Sequence, residues 1–205
     1  MDQFRCPTGI QGRAVAALMN NEHTALTTWG LKFVDIAPDA VILDVGCGGG
    51  KTVHRLSQMA PQGKVFGIDY SLDMVKYSKQ VNKNLIKENR VEIFQSSVEK
   101  TAFMYDFFDL VTACETYYFW PSLPNAFLEI KRILKPNGKL LMVNEVIKDG
   151  IYDVENAEMI KNAHLRLVTL EDIKAMLETS GFKDVKFFIK NNSGWNTIIA
   201  QKQSV

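Results

Sequence analysis

The chain has 205 residues, 46% apolar and 23% charged, with a formal net charge of +1. That length suits one domain with its own core. The near-zero charge gives no general attraction to nucleic acid, and no apolar run approaches the roughly 20 residues of a membrane helix.

The N-terminus carries no apolar segment of the signal-peptide kind. Cys6, Cys47 and Cys114 are odd in number and far apart, so neither a disulfide framework nor a Cys-x-x-Cys metal site is expected. A reducing cytoplasm is the natural location on that reading. Residues 11–35 are expected to be helical. Val15, Leu18 and Met19 form one apolar stripe and Leu26, Trp29, Phe33 and Val34 another, with breaks at Asn20-Asn21 and Gly30. This segment precedes the first strand and must pack outside the sheet. His23 and Trp29 stand out within it. Either they are a surface histidine and a tryptophan anchoring the helix to the core, or they face the chemistry, His23 as a proton acceptor and Trp29 against the substrate.

After Pro38, residues 41–45 (Val-Ile-Leu-Asp-Val) read as a buried parallel strand. The chain then breaks into glycines, and a helical pattern covers 51–60. Strand, glycine loop and helix together build a cofactor site, because glycines admit close backbone approach and a helix start offers free N–H groups. The next strand, 64–69, ends in Gly67-Ile68-Asp69. A carboxylate there, roughly 20 residues past the loop, is placed to accept hydrogen bonds from a ribose diol. Two nucleotide fingerprints fail on spacing. In G-x-G-x-x-G counted from Gly46 and Gly48, the third glycine falls on Lys51; in G-x-x-x-x-G-K-[ST] ending at Gly50-Lys51-Thr52, the first falls on Val45.

Ser71 caps a helix expected over 71–88. Lys76, Lys79, Lys83, Lys87 and Arg90 recur on it at helical spacing, as a solvated face or, alternatively, an RNA-binding stripe. A third strand spans 91–96 and a fourth 108–113, the latter leading into Cys114-Glu115-Thr116. A helix follows, with Pro121 and Pro124 near its start and Phe127, Ile130 and Leu134 on one face. Lys135-Pro136-Asn137-Gly138 is a sharp turn before a fifth strand over 139–146. Residues 148–168 are irregular and read as an insertion near the site mouth. Thr169 opens a helix ending at Ser180-Gly181, and strands 185–190 and 196–201 close a hairpin around 191–194. The alternation predicts an α/β fold: a Rossmann-like three-layer α/β/α sandwich with a mostly parallel seven-stranded sheet and a C-terminal antiparallel hairpin.

The run acidic-x-Gly-x-Gly-x-Gly (Asp44, Gly46, Gly48, Gly50), with Gly67-Ile68-Asp69-Tyr70-Ser71 and the later elements in order, resembles the class I S-adenosylmethionine (SAM) methyltransferases, and among them the small type 11 group. The resemblance runs from about residue 37 to the end. It implies a single domain, 1–205, with a helical lid over 1–36 and a core over 37–205. It implies SAM as methyl donor, S-adenosylhomocysteine as product and no metal. The glycine loop, with Cys47, would lie along the methionine and ribose, and Asp44 would face the methionine ammonium. Asp69 would hold the ribose, Tyr70 would cover one adenine face and Met74 would fill space beside the ring. Where the family carries Gly-Asp-Ala-Glu this chain has Ser96-Ser97-Val98-Glu99, so Ser97 replaces the adenine-binding aspartate while Val98 keeps the apolar contact. Cys114 would run close to the methionine end.

Alignment of a nucleophile behind the methyl, and exclusion of water, are the main demands of such chemistry. The acid and aromatics after strand four supply the catalytic candidates, Glu115 and Tyr117, with His23 from the lid. Phe119 and Trp120 either line the substrate pocket or pack the next helix. A small-molecule methyl acceptor is expected, with no nucleic-acid or membrane partner, in a monomer or homodimer. The rival readings are an NAD- or ATP-using enzyme, a SAM-binding protein without transfer activity, and a methyltransferase acting on RNA or protein.

Overall fold

The computed structural model describes Gly9 and residues 23–204. Of the expected leading helix, Val15, Leu18, Met19 and the break at Asn20-Asn21 lie outside the described residues. Residues 23–30 form α1, and a tight 3-10 turn, Leu31–Phe33, continues it through Gly30.

Among the described residues, seven strands follow: β1 (Val41–Val45), β2 (Lys64–Asp69), β3 (Val91–Gln95), β4 (Phe108–Cys114), β5 (Leu134–Asn144), β6 (Phe182–Ile189) and β7 (Asn196–Lys202). They join in the order β3-β2-β1-β4-β5-β7-β6. The first five run parallel, and β7 lies antiparallel between β5 and β6. The helices are α2 (Lys51–Met59), α3 (Leu72–Val81), α4 (Lys83–Lys87), α5 (Leu123–Ile133), α6 (Tyr152–Glu155), α7 (Ala157–Asn162) and α8 (Leu170–Thr179).

Side chains alternate across each strand, so β1 feeds two cores. Ile42 joins Leu26 of α1, Val53 and Leu56 of α2 and Val75 of α3 on one face. Leu43 and Val45 join Phe127 and Ile130 of α5 and Ile173 and Leu177 of α8 on the other. The sheet is therefore the middle of three layers, as its unbroken apolar strands require.

Helix starts fall where side-chain oxygens can accept the first free N–H groups. Ser71 accepts from Met74, Ser122 from Asn125 and Thr169 from Asp172. Several local expectations differ from the structure: the stretch 148–168 carries α6 and α7, Leu134 opens β5 instead of closing α5, β6 begins at Phe182, and three more have a clear physical cause. The helix expected over 71–88 is broken at Asn82, whose side-chain amide donates to the carbonyls of Ser78 and Gly50, both at 3.0 Å. Such bonds compete with helix continuation. The turn at 135–138 lies inside β5 as a four-residue bulge: Phe108 pairs with Leu134, then Leu110 with Lys139, and Asn137 takes a positive φ of 62°. Arg90 leaves the basic stripe. Its guanidinium donates to the carbonyls of Gly63 (2.9 Å), Ser57 and Ala60 (both 2.7 Å), closing the C-terminus of α2.

Arg90→Ala is expected to lower the unfolding free energy by at least about 2 kcal/mol, since even one charge-assisted bond to a part-buried carbonyl is worth roughly 1.5–3. Arg90→Lys recovers only a fraction, because one ammonium cannot reach three carbonyls as a planar fork does. Urea midpoints of the two variants check this.

Candidate active site

The strand order reverses between β1 and β4. Open α/β sheets bind ligands outside the carboxyl ends of the strands at such a point. A cavity of about 480 Å³ opens there, within the range of small-molecule sites.

The loop after β1 forms the cavity floor. Gly46 and Cys47 donate their N–H groups to the Ile68 carbonyl at 2.8 and 2.9 Å. Gly48 donates to Asp69 Oδ2 at 2.9 Å and Ser71 to Asp69 Oδ1 at 2.8 Å. The glycine spacing has a steric cause at two positions. Gly46 has φ 69°, and a Cβ there would overlap the Thr116 side chain; Gly50 has φ 81°, and a Cβ there would strike Ser78 and Asn82.

At one end of the cavity stand Asp69, Tyr70, Met74, Ser97 and Val98. Burial raises the Asp69 carboxyl, and its two backbone N–H bonds pull it back down. No ion pair neutralises it among the described residues. Each of its oxygens keeps a lone pair beyond the bond already made, so this carboxylate suits a pair of hydroxyl donors. Tyr70 is 73% exposed at the mouth, whereas Met74 and Val98 are buried. The Ser97 hydroxyl accepts the Glu99 N–H at 3.3 Å. Gly46, Cys47, Gly48 and Cys114 also line the cavity. Burial pushes both thiols well up, which keeps them protonated as apolar wall.

Two of the cofactor candidates lie behind the wall. Gly50 caps α2. Asp44 is buried, accepts the Thr112 hydroxyl at 2.7 Å, and is pushed by burial up to about 7. It does not line the cavity; the Asp69 charge disfavours its ionised form and the Arg55 charge favours it.

The opposite end is built from the turn after β4. Glu115, Thr116, Phe119 and Trp120 line it, with His23 of α1. Glu115 sits at φ 57°, a costly conformation for a residue with a Cβ. Its N–H reaches the Val143 carbonyl at 2.9 Å. Its Oε1 accepts the Glu145 N–H and stands 3.1 Å from the Tyr118 hydroxyl. Burial pushes this carboxyl up to about 8, and the Glu145 charge adds to the shift. Tyr117 is not among the lining residues. It is 2% exposed and packs its ring 4.2 Å from that of Tyr118. Trp120 bonds the Thr116 hydroxyl through Nε1 at 3.2 Å, so it both lines the cavity and braces the turn. Trp29 packs on Phe33 and Trp195, away from the cavity.

No residue of 148–168 lines the cavity. The stretch reaches its wall from outside, where Arg166 donates to the Trp120 and Pro121 carbonyls. Sequence reasoning missed Thr24 and Thr27 on α1, and Lys51, Thr52 and Arg55 on α2, all of which line the cavity. Lys51 and Arg55 stand one helical turn apart on the face that leaves the glycine loop, a spacing legible in advance.

The cavity, its alternating glycines and the carboxylate ending β2 define a domain of the class I SAM-dependent methyltransferase kind. Residues 43–142 match the family described as a methyltransferase domain. The chain is 30% identical over 183 residues to a malonyl-[acyl-carrier protein] O-methyltransferase of Methylovorus sp. (strain MP688), covering 84% of this chain and 61% of that protein. The next two curated relatives are matched over 45% and 54% of their length, so this chain spans about half the length of those first curated relatives. A methyltransferase solved with the Trm112 methyltransferase activator of Haloferax volcanii superposes with a TM-score of 0.82 at 17% identity, over 100% of this chain and 99% of that one. Phosphoethanolamine N-methyltransferase 2 of Haemonchus contortus, solved with S-adenosyl-L-methionine, gives 0.74 at 19% identity over 90% and 53%. These last two likenesses show the fold. No described helix is long and apolar enough to cross a membrane.

The raised Glu115 carboxyl makes a pH prediction. Its ordinary value is 4.5 and its folded value about 8, so between those limits the folded state binds the extra proton and stability falls as pH rises. Asp44 and Asp69 titrate alike in parent and variant. His23, Glu145 and Tyr118 face the group in both. Glu115→Gln is therefore expected to gain about 2–4 kcal/mol on the parent between pH 5 and pH 8, read from urea midpoints at the two pH values.

Proposed function

We propose that the protein transfers the methyl group of SAM to a small-molecule acceptor held in the same cavity. One observation carries this reading: a single cavity joins a carboxylate suited to a ribose diol at one end to an acid and two aromatic rings at the other. When bound, SAM supplies an electrophilic methyl carbon on a sulfonium. Asp69 would hold the ribose hydroxyls, and Tyr70, Met74 and Val98 would enclose the adenine, with Ser97 at its amino edge. Gly46, Cys47 and Gly48 would bring the backbone close to the methionine, Cys114 would wall its far side, and Asp44 and Gly50 would support from behind. Glu115 lies nearest the acceptor, with His23 above it. Tyr117 supports this wall through its contact with Tyr118 and does not reach the acceptor. Phe119 and Trp120 exclude water there. The small, partly apolar volume favours a small molecule over RNA or protein.

Asp69→Asn is expected to weaken binding of SAM and its demethylated product about a hundredfold, as loss of two bonds to a charged acceptor implies. Calorimetric titration checks it, with NAD and ATP as controls. Glu115→Ala is expected to lower turnover about 10²-fold, the lower end for loss of a positioned acid or base, while SAM affinity stays within a few-fold. Tight NAD binding, or equal turnover in the Glu115 variant, contradicts the reading. SAM binding without transfer to any acceptor of a metabolite pool assigns a sensor instead.

A further inference from the structure

Three groups from three separate elements come together at Glu115; His23 and Glu115 line the cavity, and Glu145 stands beside them outside its lining. His23 comes from α1, Glu115 follows β4 and Glu145 follows β5, and one nitrogen or oxygen of each lies within 4.8 Å of the others. The rings of Phe119 and Trp120 share that wall. Among the described residues, no lysine or arginine forms an ion pair with either glutamate. Resting on the methyl-transfer reading above, we infer that the acceptor is an amine, with its nitrogen held by Glu115, Glu145 and His23.

The spacing admits a nitrogen there. An ammonium donating hydrogen bonds of about 2.8 Å at tetrahedral angles separates its acceptors by roughly 4.6 Å, within the limit of this trio. A divalent ion at about 2.0–2.2 Å from each ligand needs the same atoms roughly 3.5 Å apart, which that limit also admits, so the aromatic wall and the flow of charge decide between the two. The aromatic wall adds the cation–π face that ammonium groups favour.

Charge flow supports it further. The bound ammonium first gives one proton to the Glu115 carboxylate. The freed lone pair then forms the new N–C bond while the S–C bond breaks, its electron pair remaining on sulfur. The products are an N-methylammonium and a neutral thioether. Positive charge thus travels from sulfur to nitrogen, toward the Glu145 carboxylate, Glu115 being neutral once it holds the proton, and a fixed negative group aimed at a site of developing positive charge lowers the barrier. An anionic oxygen acceptor would meet the same two glutamates as like charges and lose that advantage.

The test uses three isosteres that differ only in the head group: 2-phenylethylammonium, 2-phenylethanol and phenylacetate. Each is titrated calorimetrically into protein already saturated with S-adenosylhomocysteine. The ammonium is expected to bind at least about tenfold more tightly than the alcohol, with phenylacetate weakest, and Glu145→Gln is expected to remove most of that preference. Equal affinity for the three, tighter phenylacetate, or no ammonium binding overturns the inference. Tight binding of MnCl2 or ZnCl2, lost in both Glu115→Gln and Glu145→Gln and competitive with the ammonium, overturns it in favour of a metal site. The ranking in the parent protein decides even where a variant fails to fold. Failure of S-adenosylhomocysteine itself to bind, in the first titration, strikes the methyl-transfer reading and is separate from these outcomes.

Discussion

One carboxylate sets the geometry of the site. Asp69 stands at the end of β2 and accepts two backbone N–H groups, one from Gly48 across the sheet and one from Ser71 at the start of α3. Bonds of this charge-assisted kind are worth roughly 1.5–3 kcal/mol each, and here they tie the glycine loop after β1 to the end of β2 and the start of α3. The loop after β1 is held open by this bridge and by the Ile68 carbonyl beneath it. Asn82 completes the frame, bonding the Gly50 carbonyl from the far end of α3. A ligand hydroxyl pair that bonds Asp69 therefore docks onto the atoms that already fix the loop's shape, and the site needs little rearrangement to receive it.

The electrostatics of the cavity are lopsided. Asp44, Asp69 and Glu115 all have their carboxyls raised chiefly by burial, the mark of acids removed from water without full compensation. Arg55 is the nearby cation that moderates Asp44. Such an arrangement costs stability in the empty protein and rewards a cationic guest, because a positive charge in the cavity favours the ionised form of every acid around it. A sulfonium is a guest of that kind. The strained backbone at Glu115 belongs with this cost, since its φ of 57° aims the carboxyl at the cavity edge.

Most of the fold was legible because its signals are local. The bounds of β1 and β2 match the expected ranges, since buried parallel strands show as short apolar runs closed by glycine or acid. Capping residues placed the starts of α3 and α8, and prolines that of α5. What escaped was long-range. Asn82 ends a helix by reaching Gly50, thirty-two positions away, and no window of sequence shows that partner. Arg90 reads as one more charge on a basic face until the α2 carbonyls are seen beneath it. In the site, the same division holds. Asp69, Tyr70 and Met74 follow from strand and helix position, and the structure brings them to one cavity. Tyr117 is shifted off the wall because Tyr117–Phe119 fold into a 3-10 turn, which points its ring into the core. Glu145 went unnoticed because nothing near it in sequence marks chemistry; only the neighbouring positions of β4 and β5 bring it to Glu115.

The place of β7 has a consequence for how the chain is made. β5 and β6 do not pair with each other; β7 lies between them and pairs with both. On the ribosome, the chain from β1 through β5 can collapse into a parallel sheet as it emerges, with α5 and the earlier helices ready to cover it. β6 then appears with no strand to join, and α8, which packs beside it, has only part of its seat. Both wait until the strand encoded after them has left the exit tunnel and slid between β5 and β6. Until β7 has emerged, the nascent chain therefore carries the edge of β5 bare, open to other chains.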